Sequence, residues 1–208
     1  MADANQRQPR EDDPRFQRSL KALHVALLDL VDSQPLEDIS ITMLVQAAGV
    51  TRPTFYQHFA DIPDAARRVA LARLDAAFPV PEPFPEHFEI SAANIFRHVA
   101  EMALPVIEHL REHRAFYLRV LDGAGNAAFF DEIVSFLAAR FLPDAFELAA
   151  RQQAASRDDL MTVMAGGAMW LMVRWLRDDR PADTAEEMAQ RIAAVAATMV
   201  VPQRERNP

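Results

Sequence analysis

Apolar residues recur three and four positions apart in segment after segment of this chain, and nowhere do they alternate every second residue over the length of a strand. An α-helix makes a turn every 3.6 residues, so this spacing lines one helical face; a half-buried strand needs period two. Phe16, Leu20, Leu23, Leu27 and Leu30 follow steps of 4, 3, 4 and 3, and Met188, Ile192, Val195 and Met199 follow steps of 4, 3 and 4. The fold class this predicts is all-α, with no internal repeat. Glycine agrees: only 5 occur in 208 residues, too few for Gly-rich phosphate loops or many tight hairpins. Cysteine is absent, which excludes disulfides, Cys-bearing zinc sites and thiol nucleophiles. With half its residues apolar, a chain of this length can bury the core of one domain or of two small ones.

Punctuation residues place the helices. Asp13 caps a first helix, with Pro14 at its first position. Leu36–Ser40 is a linker, and Ser40 caps a second helix, Ile41–Ala48. Gly49 can take the left-handed conformation that ends it. Thr51 caps a short third helix, Arg52–Phe59, and Asp61 caps a fourth that runs to about Phe78. The prolines between Pro79 and Pro85 read as a rigid connector, which continues to about Glu89. A long helix from Ser91 to about Arg111 should bend, or lose one hydrogen bond, at Pro105. A short helix, Phe116–Leu121, ends in the turn Asp122–Gly125; Asn126 caps the next, which Pro143 kinks or breaks. Leu160–Arg177 is apolar all round, and Thr184 with Glu187 forms the capping box of the last helix. Residues 1–12 are polar and lack the apolar stretch of a signal peptide, so they are expected to be a disordered tail. The longest apolar run, Leu160–Leu176, contains Thr162 and Arg174 and falls short of the ~20 residues of a membrane span. A cytoplasmic protein is expected.

The stretch that carries chemistry is Ser40–Phe59, SITMLVQAAGVTRPTFYQHF. Leu44 and Ala48 can pack against Val50, Phe55 and Phe59. That leaves Arg52, Thr54, Tyr56, Gln57 and His58 on the free face of the third helix. A helix of eight residues is about 12 Å long, which suits the major groove of B-DNA. Its N-terminus directs partial positive charge and free N–H groups at phosphate. Arg can read guanine, Gln can read adenine, and Thr can touch a thymine methyl. Two short helices about a tight turn form a helix-turn-helix.

Over these residues and the wider frame Phe16–Leu74 the chain resembles the tetracycline-repressor (TetR) family of bacterial regulators. The turn Ala47-Ala48-Gly49-Val50, then Thr51-Arg52, then Thr54-Phe55-Tyr56-x-His58-Phe59 carry the resemblance. It implies an N-terminal three-helix helix-turn-helix DNA-binding domain, residues 13–60. A larger C-terminal helical domain for ligand binding and dimerisation, residues 61–202, would follow. Arg52, Thr54 and Gln57 would face bases beside Pro53, while Tyr56 and His58 would contact phosphates with Thr51, Ser40 and Thr42. Two positions depart from the family: Pro53 stands where a small residue is usual, and Ile62 where a Lys is frequent. The missing Lys removes one phosphate contact and its share of salt-dependent affinity.

The resemblance also implies partners: a palindromic double-stranded DNA operator, a second copy of the chain, and a small effector that releases a repressor from DNA. It implies no cofactor, no membrane and no enzymatic activity. An apolar or aromatic effector would sit among the middle helices, where Met102, Val106, Tyr117, Phe130, Val134, Trp170 and Arg174 are the candidates. Arg174 would face an anionic group, or pair with a carboxylate across the dimer. The last two helices would build a dimeric four-helix bundle, with Gly166, Gly167, Met188, Ile192, Val195 and Met199 at the interface. Such apolar helices also suit a monomeric core.

The formal net charge of −8 argues against a nucleic-acid partner. Residues 1–80, however, hold nine Lys and Arg against eleven Asp and Glu, a balance of −2, so most of the acidity lies in the second half. Two other readings are set beside the regulator. His109-Leu-Arg-Glu112-His113 fits the H-x-x-E-H zinc-peptidase pattern, with both imidazoles on one helical face, which would make the chain a zinc hydrolase. A helical interaction protein that has lost DNA binding is the other.

Overall fold

The computed structural model describes residues 13–82, 84, 88–140, 145–147, 150, 156–179 and 183–200. The tail 1–12, the break at Pro143 and the last residues of the expected C-terminal domain lie outside them. Among the described residues there is no strand, as the apolar spacing predicts. The helices are α1 (Pro14–Ser33), α2 (Ile41–Ala48), α3 (Arg52–His58), α4 (Ile62–Ala77), α5 (Ala92–Glu112), α6 (Arg114–Ala124), α7 (Ala127–Ala138), α8 (Arg157–Arg177) and α9 (Ala185–Val200). Helical backbone also occurs at residues 145–147 and 150. The linker after α1 is not featureless: Leu36–Asp38 forms a 3-10 turn that buries Leu36.

The caps account for most boundaries. Asp13, Ser40, Thr51, Ser91, Asn126 and Ser156 each accept a backbone N–H at a helix start. The capping box of α9 is reciprocal: Glu187 N–H donates to Thr184 Oγ1 at 3.2 Å, and Thr184 N–H donates to Glu187 Oε2 at 2.7 Å. α5 continues through Pro105, whose side chain is exposed, so the expected disturbance does not end the helix.

The chain divides into two compact units. The first comprises the residues up to Ala72 together with Ala115–Gly125, so its boundary falls inside α4 and it takes in α6. The expected division after residue 60 had left α6 and all of α4 to the C-terminal domain. In this unit α1 packs on α2 and α3. Leu23, Leu27, Leu44, Phe55 and Phe116 are fully buried. α6 runs to Ala124 rather than stopping at Leu121. Gly123 is therefore helical, and its role is close approach: a Cβ there would sit 2.8 Å from Leu36 Cβ. The guanidinium of Arg119 donates to the Val31 carbonyl near the end of α1, and Arg67 donates to the Ala124 carbonyl at 3.4 Å. Both satisfy carbonyls that a helix end leaves open.

The second unit comprises Arg73–Arg114 and the residues from Asn126 onward. Its most extensive packing joins α5 to α9, and α7 lies against α8. Ala189, Ala193 and Ala196 are buried on α9. Small side chains there let the two helix axes come close. Arg140 is buried with its charge met on several sides. It pairs with Asp75, donates to the Phe78 carbonyl at 2.6 Å and to the Phe136 carbonyl at 3.1 Å, and lies 3.6 Å over the Phe136 ring. That satisfaction is what allows an arginine to be buried.

Candidate nucleic-acid interface

α2 ends at Gly49, whose φ of 65° is left-handed. Val50 N–H then donates to the Val45 carbonyl at 3.0 Å and Gly49 N–H to the Gln46 carbonyl at 3.2 Å, closing the last turn. The chain re-enters a helix at once, because Thr51 Oγ1 accepts the Thr54 N–H at 3.3 Å. The seven-residue α3 buries Phe55 at 0% exposure, and Phe59 closes its end at 3%. The Phe55 and Phe59 rings lie 5.8 Å apart, which fixes the inner side of the helix. Arg52, Pro53, Tyr56 and Gln57 are exposed, and Thr54 is half-buried. Ser40 and Thr42 are exposed at the start of α2.

His58 departs from the expected phosphate contact. It is 6% exposed, with Nε2 2.7 Å from Ser19 Oγ and its ring 4.1 Å from that of Phe16. A residue three after Phe55 points to the same side of a helix, so His58 faces α1. Burial, then the neighbouring His24, lowers its pKa from the ordinary 6.5. His58 is thus a neutral interior group that ties α3 to α1. The first turn of α3 also offers fewer donors than expected. Pro53 has no N–H, the Thr54 N–H is taken by Thr51, and the two threonine hydroxyls lie 2.9 Å apart.

The start of α4 is sealed in a similar way. Asp64 N–H donates to Asp61 Oδ1 at 2.7 Å, and Ala60 N–H donates to Asp64 Oδ2 at 2.9 Å. Ile62 is buried, so the position where a lysine would reach phosphate belongs to the core. Arg52 is exposed on α3, and Arg68, on α4, is paired with Asp64 at 3.2 Å.

Two of the expected cavity residues meet in the second unit. Met102 and Val106 pack in an apolar cluster with Leu74, Phe78, Phe136 and Leu137. Phe130 and Val134 are half-buried on α7. Tyr117 belongs to the first unit, on α6, and is buried there. Trp170 is 56% exposed and Arg174 is exposed, so both point outward from α8 rather than into an interior cavity.

The expected interface residues divide too. Met188 and Ile192 are 1% and 3% exposed, on the helix that packs against α5, so they are committed to the protomer's own core. Met199 is half-buried, and Val195 is 43% exposed. Gly166 is half-buried and Gly167 exposed; a Cβ on either would meet nothing within 4 Å. Sequence reasoning missed Val163, which is 64% exposed. With Gly167, Trp170 and Arg174 it makes a stripe along α8 at steps of 4, 3 and 4. Because α8 is apolar on all sides, periodicity offered no way to tell its outer face.

His109 and His113 share a face of α5, with ring centroids 4.6 Å apart and Glu112 Oε2 4.0 Å from His113 Nε2. Burial, then His113 and Arg73, lowers the His109 pKa, against an opposing pull from Glu112. Among the described residues no group of three His, Asp or Glu side chains is placed to hold a metal ion.

Residues 97–197 match the TetR-type family model described as a transcriptional regulator C-terminal region. The match supports a TetR-family transcriptional regulator. The match lies in the half where the sequence motif is silent, while the helix-turn-helix occupies the other half. No curated protein matches the chain. No helix among its described residues is long and apolar enough to cross a membrane.

Proposed function

We propose that the chain is a cytoplasmic, homodimeric TetR-family repressor that binds a palindromic operator and leaves it when a small, mainly apolar effector binds. It carries no catalytic activity. The observation that supports this most is α3 itself. Directly after a left-handed glycine, a short helix buries Phe55 and turns Arg52, Tyr56 and Gln57 outward. Arg52 and Gln57 read base edges and Thr54 offers its methyl group. Thr51, Tyr56, Ser40 and Thr42 reach phosphates. His58 supports the helix from inside.

Two copies place two α3 helices about one turn of B-DNA apart, roughly 34 Å, or a multiple of it. The stripe Val163, Gly167, Trp170 and Arg174 of α8, with Val195 of α9, is the surface that meets the second copy. An exposed tryptophan beside exposed valines is the kind of apolar surface that association covers. The effector acts by binding two conformations with different affinity, since equal affinity would shift nothing.

The test is selection from random-sequence DNA with the wild type and with the double variant Arg52→Ala/Gln57→Ala. The wild type is expected to enrich one palindrome. The double variant, with unchanged helical circular dichroism, is expected to lose that enrichment, because each paired base contact contributes about 1–3 kcal/mol. A wild type that enriches no shared palindrome would leave the helical interaction protein as the better reading.

A further inference from the structure

We propose that His98, Phe84 and Phe88 form a recognition site for a neutral aromatic molecule bearing a hydroxyl group, a ligand of the phenol type. As a binding site it stands alone; as an effector site it rests on the ligand-responsive reading above.

The first observation is an orphaned polar atom. His98 Nε2, on α5, is out of contact with solvent and has no hydrogen-bond partner among the described residues. Leaving such a group unpaired costs about 1–3 kcal/mol. Buried polar groups in folded proteins are nearly always bonded, so a lone one marks a place where something else bonds. The second observation is what surrounds it. Phe84 and Phe88, in the connector before α5, stack in parallel with centroids 4.1 Å apart and planes 6° from each other. Both meet the imidazole at a steep angle, at 5.1 and 5.8 Å. The imidazole thus lies against a stacked aromatic pair, and flat apolar rings over one unpaired polar atom suit a flat apolar ligand with one polar group. Met102, one turn further along the same face of α5, is half-buried and adds an adaptable apolar side chain.

Charge narrows the class. Burial lowers the His98 pKa from the ordinary 6.5, against an opposing pull from Glu101, so the ring is neutral at neutral pH. A carboxylate ligand would find no positive charge on His98 and would be repelled by Glu101. A hydroxyl both donates and accepts, so it serves either neutral tautomer of the imidazole. In the bound state the ligand ring takes the place of a phenylalanine ring over His98, exchanging one stacking contact for another and adding the missing hydrogen bond.

Calorimetric titration of the full chain with phenol and with toluene tests this. The two probes differ mainly in the hydroxyl. The wild type is expected to bind phenol at least tenfold more tightly, and His98→Phe to bind both alike. The imidazole Nε2 resonance of the wild type, followed by nitrogen NMR, is expected to shift with phenol and stay in place with toluene. Equal binding of the two probes, no phenol binding, or a preference for phenol that survives His98→Phe with an unmoved Nε2 resonance would overturn the proposal. Measuring retention on the selected operator at saturating phenol separates the two readings. Binding through His98 without release supports the site and counts against its role in regulation.

Discussion

α3 and α9 both carry a clean helical repeat, but the two repeats are used differently. In α3 the apolar positions turn inward and leave Arg52, Tyr56 and Gln57 exposed, so the exposed side is the informative one. In α9 most apolar positions also turn inward, against α5, and two of the residues expected to meet a partner, Met188 and Ile192, are consumed by the protomer's own core. What distinguishes an interface from a core is therefore not the repeat but what remains exposed once each helix has its neighbours. For α8 and α9 the remainder is Val163, Trp170 and Val195.

Paired substitutions on opposite sides of these helices sharpen the contrast. The largest effect is expected from Phe55→Ala, which empties a fully buried position and should lower stability by about 3–5 kcal/mol in urea denaturation. Tyr56→Ala, one position along and 56% exposed, should stay within about 0.5 kcal/mol while weakening operator binding. Equal losses from the two would erase the distinction between the faces of α3. Next, Ile192→Ala should cost about 2–5 kcal/mol, whereas Trp170→Ala should leave the protomer folded and lower the sedimenting mass toward that of one chain. Were Ile192→Ala to dissociate a dimer without loss of helicity, α9 rather than α8 would hold the contact.

Smaller effects separate two glycines. Gly49→Ala forces a left-handed residue to carry a Cβ and should cost about 1–2 kcal/mol. Gly167→Ala lies in an open helical position and should gain up to about 1 kcal/mol in protomer stability, read from the melting midpoint of a dilute sample. A concentration series would show the opposite sign if that glycine admits a partner's backbone.

The smallest effect concerns pH. His58 has a folded-state pKa below its unfolded value of 6.5, so the unfolded chain takes up the proton first. The stability that neutral His58 contributes is complete above pH 6.5 and is lost as pH falls below it. The urea midpoint should drop from pH 7 to 5, and His58→Gln should flatten that drop. An unchanged slope would place His58 in water after all.

The helix starts were legible because capping is a local event between residues three apart, and Ser40, Thr51, Asn126 and Thr184 all lie where their chemistry requires. The left-handed turn at Gly49 was legible for the same reason. Arg52, Tyr56 and Gln57 could be assigned to an outer face from helical phase alone. The same phase puts His58 on the inner side with Phe55; what it could not show are the partners there, Ser19 and Phe16, some forty residues earlier in the chain. The extent of α6 escaped on the same ground, since Gly123 is set by an approach to Leu36.

Sequence by itself therefore determined the all-α class, the order and caps of the helices, and the helix-turn-helix with its outward side chains. These follow from backbone geometry and from neighbours within a turn. Tertiary structure alone decided which residues His58 meets, that Met188 and Ile192 serve the protomer, that Trp170 faces outward and that His98 lies beneath two phenylalanine rings. Those outcomes depend on which helices pack together, and a buried position is defined by its distant neighbours as much as by its own side chain.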